Sequence, residues 1–228
     1  MTRTTTFMKK LIPVYILLHA GISGSAYAAG ISPVSSDLND PFDGWTCVNE
    51  LVCSNPGTGG AGGPGDGFLR FTDLLTKDLQ ADILAPSSYL GDYSNAQGMT
   101  FEFDFKVFDV GAAVEKELKI AFFSGGVSDF DGSESAVYKT GLFFDNTNTP
   151  SDWVHVVVPL DFSAPGWMVD QGFDSSNVNV LRVPGDWVNG QEELGYDNFS
   201  IEPVPIPGAV WLFGSGLLGL IGAARRKA

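Results

Sequence analysis

From Met99 to Val107 the chain alternates strictly. Met99, Phe101, Phe103, Phe105 and Val107 are apolar, and Thr100, Glu102, Asp104 and Lys106 between them are polar. A period of two puts one set on a buried face and the other in water, which predicts a half-buried β-strand. Further strands are expected in "GFLRFTD" from Gly67, "LKIAFFS" from Leu118, "VYKTGLFF" from Val137, "WVHVVVPL" from Trp153, "VNVLRV" from Val178 and "LGYDNFSIE" from Leu194. Turn-forming stretches separate them, among them "SGGVSDFDGSES", "DNTNTPSD" and "VPGDWVNGQ". The one place that admits a short helix is "TDLLTKDLQADIL". Strands of this length with this punctuation predict an all-β chain folded as an antiparallel jelly-roll β-sandwich.

Both ends break the pattern. At the N-terminus, Arg3, Lys9 and Lys10 precede the apolar "LIPVYILLHAGI" and the small residues "SGSAYA". Ala26 and Ala28 fit the A-x-A cleavage pattern of a secretory signal peptide, with Ala29 as a neighbouring alternative; a retained N-terminal anchor is the competing reading. At the C-terminus, Gly208 to Ala224 carries no charge and is followed at once by Arg225, Arg226 and Lys227. As a helix this run spans about 25 Å, a short membrane crossing. The cations at its tip belong on the cytoplasmic side, which places the body across the inner membrane. Ser215, Gly219 and Ala223 recur every four residues and make one small-residue face for close helix approach.

The last 25 residues carry a family resemblance. Val204, Pro205, Ile206 and Pro207, then Trp211 with Gly214, Ser215 and Gly216, then the Arg225–Lys227 tip resemble the PEP-CTERM sorting signal of Gram-negative bacteria. The resemblance implies a temporary anchor read by exosortase, a membrane-embedded processing enzyme. It also implies a final place at the cell surface or outside the cell, often beside exopolysaccharide. The family usually has Glu where Ile206 stands, so the cleavage position stays open, as does a plain tail anchor that is never processed.

Between the ends lies enough chain for one domain with a real core. The reading divides the chain into a signal peptide at 1–28, a lead-in at 29–41, the sandwich at 42–202, a Pro-rich motif at 203–207, the membrane helix at 208–224 and the basic tip at 225–228. Six of the 13 basic residues lie in the targeting ends, and all 27 acidic residues lie between them, so the body carries seven cations against 27 anions, a net charge of −20. That excludes a nucleic-acid binder, whose partner needs a cationic face. Cys47 and Cys53 have five residues between them and are expected to pair as a disulfide in an oxidising compartment. The glycine-rich "NPGTGGAGGPGDG" from Asn55 lacks the Gly-Lys-Ser/Thr ending of a phosphate loop and reads as a flexible loop.

A second resemblance covers the body. "DGWTC", "GDGFLRFTD" and "LAPSSYLGDYSNAQGMTFEFDFKV", with Pro86, Tyr89, Leu90, Gly91, Asp92 and Gly98, resemble laminin B (laminin IV) type domains. That implies a galactose-binding-like jelly roll with a binding or adhesive role and no catalysis. It also implies a structural Ca2+ held by an early loop and the closing strand, with Asp43 and Asp197 as ligands. "DFDGS" separately places Asp129 and Asp131 in a fragment of an oxygen-ligand loop, although ordinary Asp-Gly turn chemistry is the favoured account of it. No certain cofactor follows.

Catalysis finds little to work with. His155, the only body histidine, sits in an alternating strand and reads as a satisfied side chain rather than a base. Carboxylates are plentiful, but no spacing selects a glycosidase pair. Trp45 and Trp153 are expected in the core. Trp167 and Trp187 lie in loops, where stacking on sugar rings and core packing stay open. The sequence thus predicts an exported, noncatalytic, membrane-tethered sandwich, with exopolysaccharide or another glycan as the alternative ligand of its body.

Overall fold

In a computed structural model, residues 30–38, 41–48, 52–73, 82–110, 116–125, 134–144, 152–185 and 192–204 are described. The signal peptide with Ala26 and Ala28, the tail from Pro205 through Trp211, Gly219 and Arg225, and Asp129, Asp131 and Trp187 lie outside the described residues.

The described chain forms two antiparallel sheets. Sheet A contains β1 (Val34–Ser36), β3 (Val52–Ser54), β4 (Leu69–Asp73), β6 (Met99–Val110), β9 (Val154–Pro159) and β12 (Glu192–Pro203), in the order β3-β4-β12-β6-β9. Strand β1 pairs with the far end of β12, Val34 opposite Ile201. Sheet B contains β2 (Thr46–Cys47), β5 (Asp82–Leu84), β7 (Lys116–Phe123), β8 (Ser135–Phe144), β10 (Trp167–Val169) and β11 (Val180–Pro184), in the order β10-β8-β7-β11-β5-β2.

The period-two pattern decides which face is which. Phe101, Phe103 and Phe105 of β6 are fully buried between the sheets, with Leu194, Tyr196, Phe199 and Ile201 of β12 and Leu118, Ile120 and Phe122 of β7. Each such large apolar side chain contributes about 1.5–3 kcal/mol by leaving water. Trp45 closes one end of this core. Its ring stacks on Phe199 at 3.8 Å between centroids and meets Tyr89 edge-on at 5.1 Å.

The Pro86–Asp92 step that carried the laminin-type resemblance is a corner pinned by one buried side chain. Tyr89 is fully buried; its hydroxyl donates to the Phe199 carbonyl at 2.8 Å and lies 3.0 Å from Ser36 Oγ. Tyr93 is also buried, and its hydroxyl donates to the Tyr89 carbonyl.

Two features differ from the sequence reading, and the expected disulfide is met. The sandwich reaches back into the stretch read as a lead-in: β1 lies at 34–36, and Ile31 and Leu38 are buried. A three-residue strand is too short to show a period, which is why it escapes the pattern. The candidate helix stretch begins inside β4 and ends inside β5, with 74–81 outside the described residues. The Cys47–Cys53 disulfide is present, with 6.3 Å between the Cα atoms, and it joins β2 of sheet B to β3 of sheet A.

Candidate functional site

The outer face of sheet A gathers the chemistry. Strand registers lay it out in rows. Arg70 of β4 lies opposite Gly195 of β12, which lies opposite Lys106 of β6. In the next row, Asp197 lies opposite Asp104, which lies opposite His155 of β9.

The first row carries an aromatic patch. Phe68 stacks on Phe108 at 5.5 Å, and Trp153 meets Phe68 edge-on at 5.2 Å. Phe68 is buried, Trp153 half-buried, and Phe108 40% exposed. Gly195 is their floor: a Cβ there would stand 2.9 Å from Phe108 Cε2, 2.9 Å from Trp153 Cη2 and 3.2 Å from Phe68 Cδ2. Lys106 Nζ lies 5.0 Å from the Phe108 ring centre, and Arg70 pairs with Glu193 at 2.6 Å.

The second row is polar and planar. His155 Nδ1 lies 3.0 Å from Asp104 Oδ1, and Nε2 lies 3.2 Å from Glu102 Oε2. Burial alone would lower the imidazole pKa; the hydrogen bonds to Asp104 and Glu102 outweigh it and raise the pKa. Both ring nitrogens are thus taken by carboxylates, and neither is left to serve a nucleophile. Asn198 donates from Nδ2 to Asp104 Oδ2 at 2.9 Å. Asn198 adopts φ 52° within the register shift between Asp197 and Ser200. Asn tolerates this conformation better than most residues. Beyond His155, a cleft of about 270 Å³ opens between β8 and β9, bordered by Thr140, Leu142 and Val157.

The glycine-rich loop lies against this face. Asn55 Oδ1 accepts the Gly57 N–H at 2.8 Å, and Asp66 Oδ2 accepts that of Gly62 at 2.6 Å. Trp153 Nε1 donates to the Gly59 carbonyl at 3.2 Å, and Ala61 N–H donates to Asp197 Oδ2 at 2.8 Å. Asp197 is fully buried. Burial first, then the neighbouring Asp66 carboxylate, push its pKa up to about 7 against the N–H bonds from Ala61 and Asn198.

Asp43 and Asp197, expected together as calcium ligands, have different neighbours. Asp43 is exposed and accepts the Leu38 N–H at 3.0 Å. Among the described residues, no three His, Cys, Asp or Glu side chains converge as metal ligands. Gly60 has no room for a side chain: an added Cβ would meet Asp66 Oδ2 at 2.6 Å, the Gly67 carbonyl at 2.6 Å and Asp197 Oδ2 at 2.7 Å.

Trp167 packs its ring against Phe122 and Phe162 at 5.5 and 4.7 Å, half-buried, and its Nε1 donates to the Pro159 carbonyl. The aromatic side chains on the outer face are instead Phe108 and Trp153. The sequence carried one signal for them: Val107-Phe108 breaks the alternation of β6, and β12 runs out of register with β6 at Leu194, opposite Val107.

No protein-family model matches this chain, and no curated protein matches it. Solved structures do. A structure described as an exo-β-agarase is 12% identical over 75% of this chain and 24% of that one, with a TM-score of 0.50. A family 30 carbohydrate-binding module is 19% identical over 78% of this chain and 86% of that one, at 0.48. A family 11 carbohydrate-binding module from Clostridium thermocellum, in complex with a β-1,3-1,4-mixed-linked tetrasaccharide, is 15% identical over 77% and 98%, at 0.47. At these identities the likeness is one of fold: a two-sheet antiparallel β-sandwich.

Proposed function

We propose that this chain is an exported, noncatalytic jelly-roll module that binds glycan on the outer face of sheet A. The observation that carries the reading is the adjacency of the Phe108–Trp153 patch and the Glu102–His155–Asp104–Asn198 row. Sugar rings present apolar C–H faces that stack on aromatic rings and a rim of hydroxyls that planar polar side chains bind. The acidic body disfavours polyanionic polysaccharides and leaves neutral ones.

The ends supply the address. The signal peptide and PEP-CTERM-like tail support export, tethering in the inner membrane and presentation to exosortase, with release or transfer to the cell surface. The inter-sheet disulfide fits an oxidising compartment.

The test is affinity electrophoresis of the full chain in gels containing agarose, mixed-linked β-glucan or alginate. Retardation by a neutral polysaccharide, lost in Phe108→Ala and Trp153→Ala with the melting temperature nearly kept, is expected. Equal mobility of wild type and both variants in every gel refutes the reading. For the tail, intact mass from cells with and without exosortase is decisive: loss near Pro205 only with the enzyme is expected, and an uncleaved tail in both refutes processing.

A further inference from the structure

The body of this chain has seven cations for 27 anions, so an ammonium with no carboxylate beside it is out of place. Lys106 carries one. It is half-buried on the outer face of sheet A, and among the described residues its Nζ makes no ion pair or hydrogen bond. Two rings place it instead: Nζ lies 5.0 Å from the centre of Phe108 and 6.0 Å from that of Trp153. Such contacts hold a cation over a ring without neutralising it. The other cation at this ring, Arg70, lies 5.8 Å from the centre of Phe108 and is already paired with Glu193 at 2.6 Å. In the next row Asp104 and Glu102 are held by His155, and Asp104 by Asn198 as well. Asp109, next to Phe108 in the chain, is exposed to water and unpaired with Lys106. Glu193, Asp104 and Glu102 thus have donors, and Lys106 lacks an acceptor.

We propose that Lys106 sets the specificity of this face: it takes the carboxylate of an isolated acidic sugar in an otherwise neutral glycan. The inference rests on the glycan reading above and narrows it. A sugar lying on the patch meets Nζ at the same rings on which it stacks. The acidic body repels a polymer charged at every sugar. A single carboxylate in contact with Nζ feels mainly the ammonium, because exposed charges more than about 8 Å away are screened at physiological salt. A preference for the charged form is therefore opposite in sign to what the net charge of the chain dictates, and it has to come from a local cation.

Affinity electrophoresis of the full chain tests this in matched gels of agarose and of mixed-linked β-glucan. One gel of each pair holds the untreated polysaccharide. The other holds the same polysaccharide lightly oxidised at C6, so that isolated hydroxymethyl groups become carboxylates. A non-binding reference protein of similar charge corrects for the charge of the gel. Dissociation constants about two- to fivefold lower for the oxidised form are expected at low salt. Added salt should shrink the difference. Lys106→Met should bind the two forms alike, and Lys106→Arg should keep the preference. Lys139→Met removes an exposed cation from sheet B and should keep it too, which controls for the change in net charge. A wild type that binds both forms equally, or the oxidised form more weakly, overturns the proposal and leaves the glycan reading standing. A preference that persists in Lys106→Met, or that salt does not reduce, also overturns it. Retardation by neither form overturns both readings.

Discussion

Gly195→Ala tests whether the aromatic patch rests on the sheet as described. The new Cβ would stand 2.9 Å from both Phe108 Cε2 and Trp153 Cη2, closer than carbon atoms pack, so the rings must move. Overpacking costs about 1–3 kcal/mol, and replacing a strand glycine returns about 0.5–1 kcal/mol. Trp153 is held by its bond to Gly59, but Phe108 is 40% exposed and swings outward readily, which keeps the cost toward the lower part of that range. The net is a loss of about 0.5–2 kcal/mol, a fall in Tm of about 1–8 °C for a domain of this size. Binding should weaken about 2- to 12-fold, since aromatic contacts of this kind contribute about 0.5–1.5 kcal/mol and 1.4 kcal/mol is tenfold. Differential scanning fluorimetry, tryptophan emission and affinity electrophoresis read the three effects. An unchanged or higher Tm together with unchanged emission refutes the placement of the rings on Gly195.

Trp45→Ala should cost about 3–5 kcal/mol in denaturant unfolding, because it empties the stack on Phe199; a loss below 1 kcal/mol contradicts a core role. Replacing Cys47 and Cys53 by serine should cost about 2 kcal/mol, the loop-closure value for so short a loop, and melting of the oxidised and reduced wild type should differ by the same amount. His155 has a raised pKa, so its stabilisation is full below the unfolded value near 6.5 and is lost as pH rises through the folded one. His155→Asn should remove that part of the pH dependence of Tm above pH 6.5, and an identical profile for both proteins refutes the pairing of the imidazole with Asp104 and Glu102.

The body of the fold was legible where the period was long. The nine-residue alternation from Met99 fixed β6, its buried face and its wet face, and the closing "LGYDNFSIE" fixed β12. Strands of two or three residues, such as β1, β2 and β10, carry no period and take their identity from their partners. The site was harder to read. Asp197 stood out through the laminin-type resemblance, but its neighbour Asp66 lies far away in sequence and is brought in only when the loop folds back on the sheet. Trp153 read as core because its strand is apolar; it lies just before β9 begins, where no alternation constrains its side. Trp167 read as a loop residue, and the reach of its indole to Pro159 depends on a turn that no local pattern announces.

The position of β12 has a consequence for the order of folding. It is the last strand in sequence among the described residues, yet it lies inside sheet A, pairing with β6 along its length, with β4 over its first half and with β1 at its far end. A chain that emerges N-terminus first, from a ribosome or a pore, delivers β1 and β4 long before the strand that joins them. Such distant pairing slows folding and leaves edges open in the interval. Sheet A can close only when residues 192–203 have emerged, so a chain stalled before that point would present unfilled strand edges to proteases.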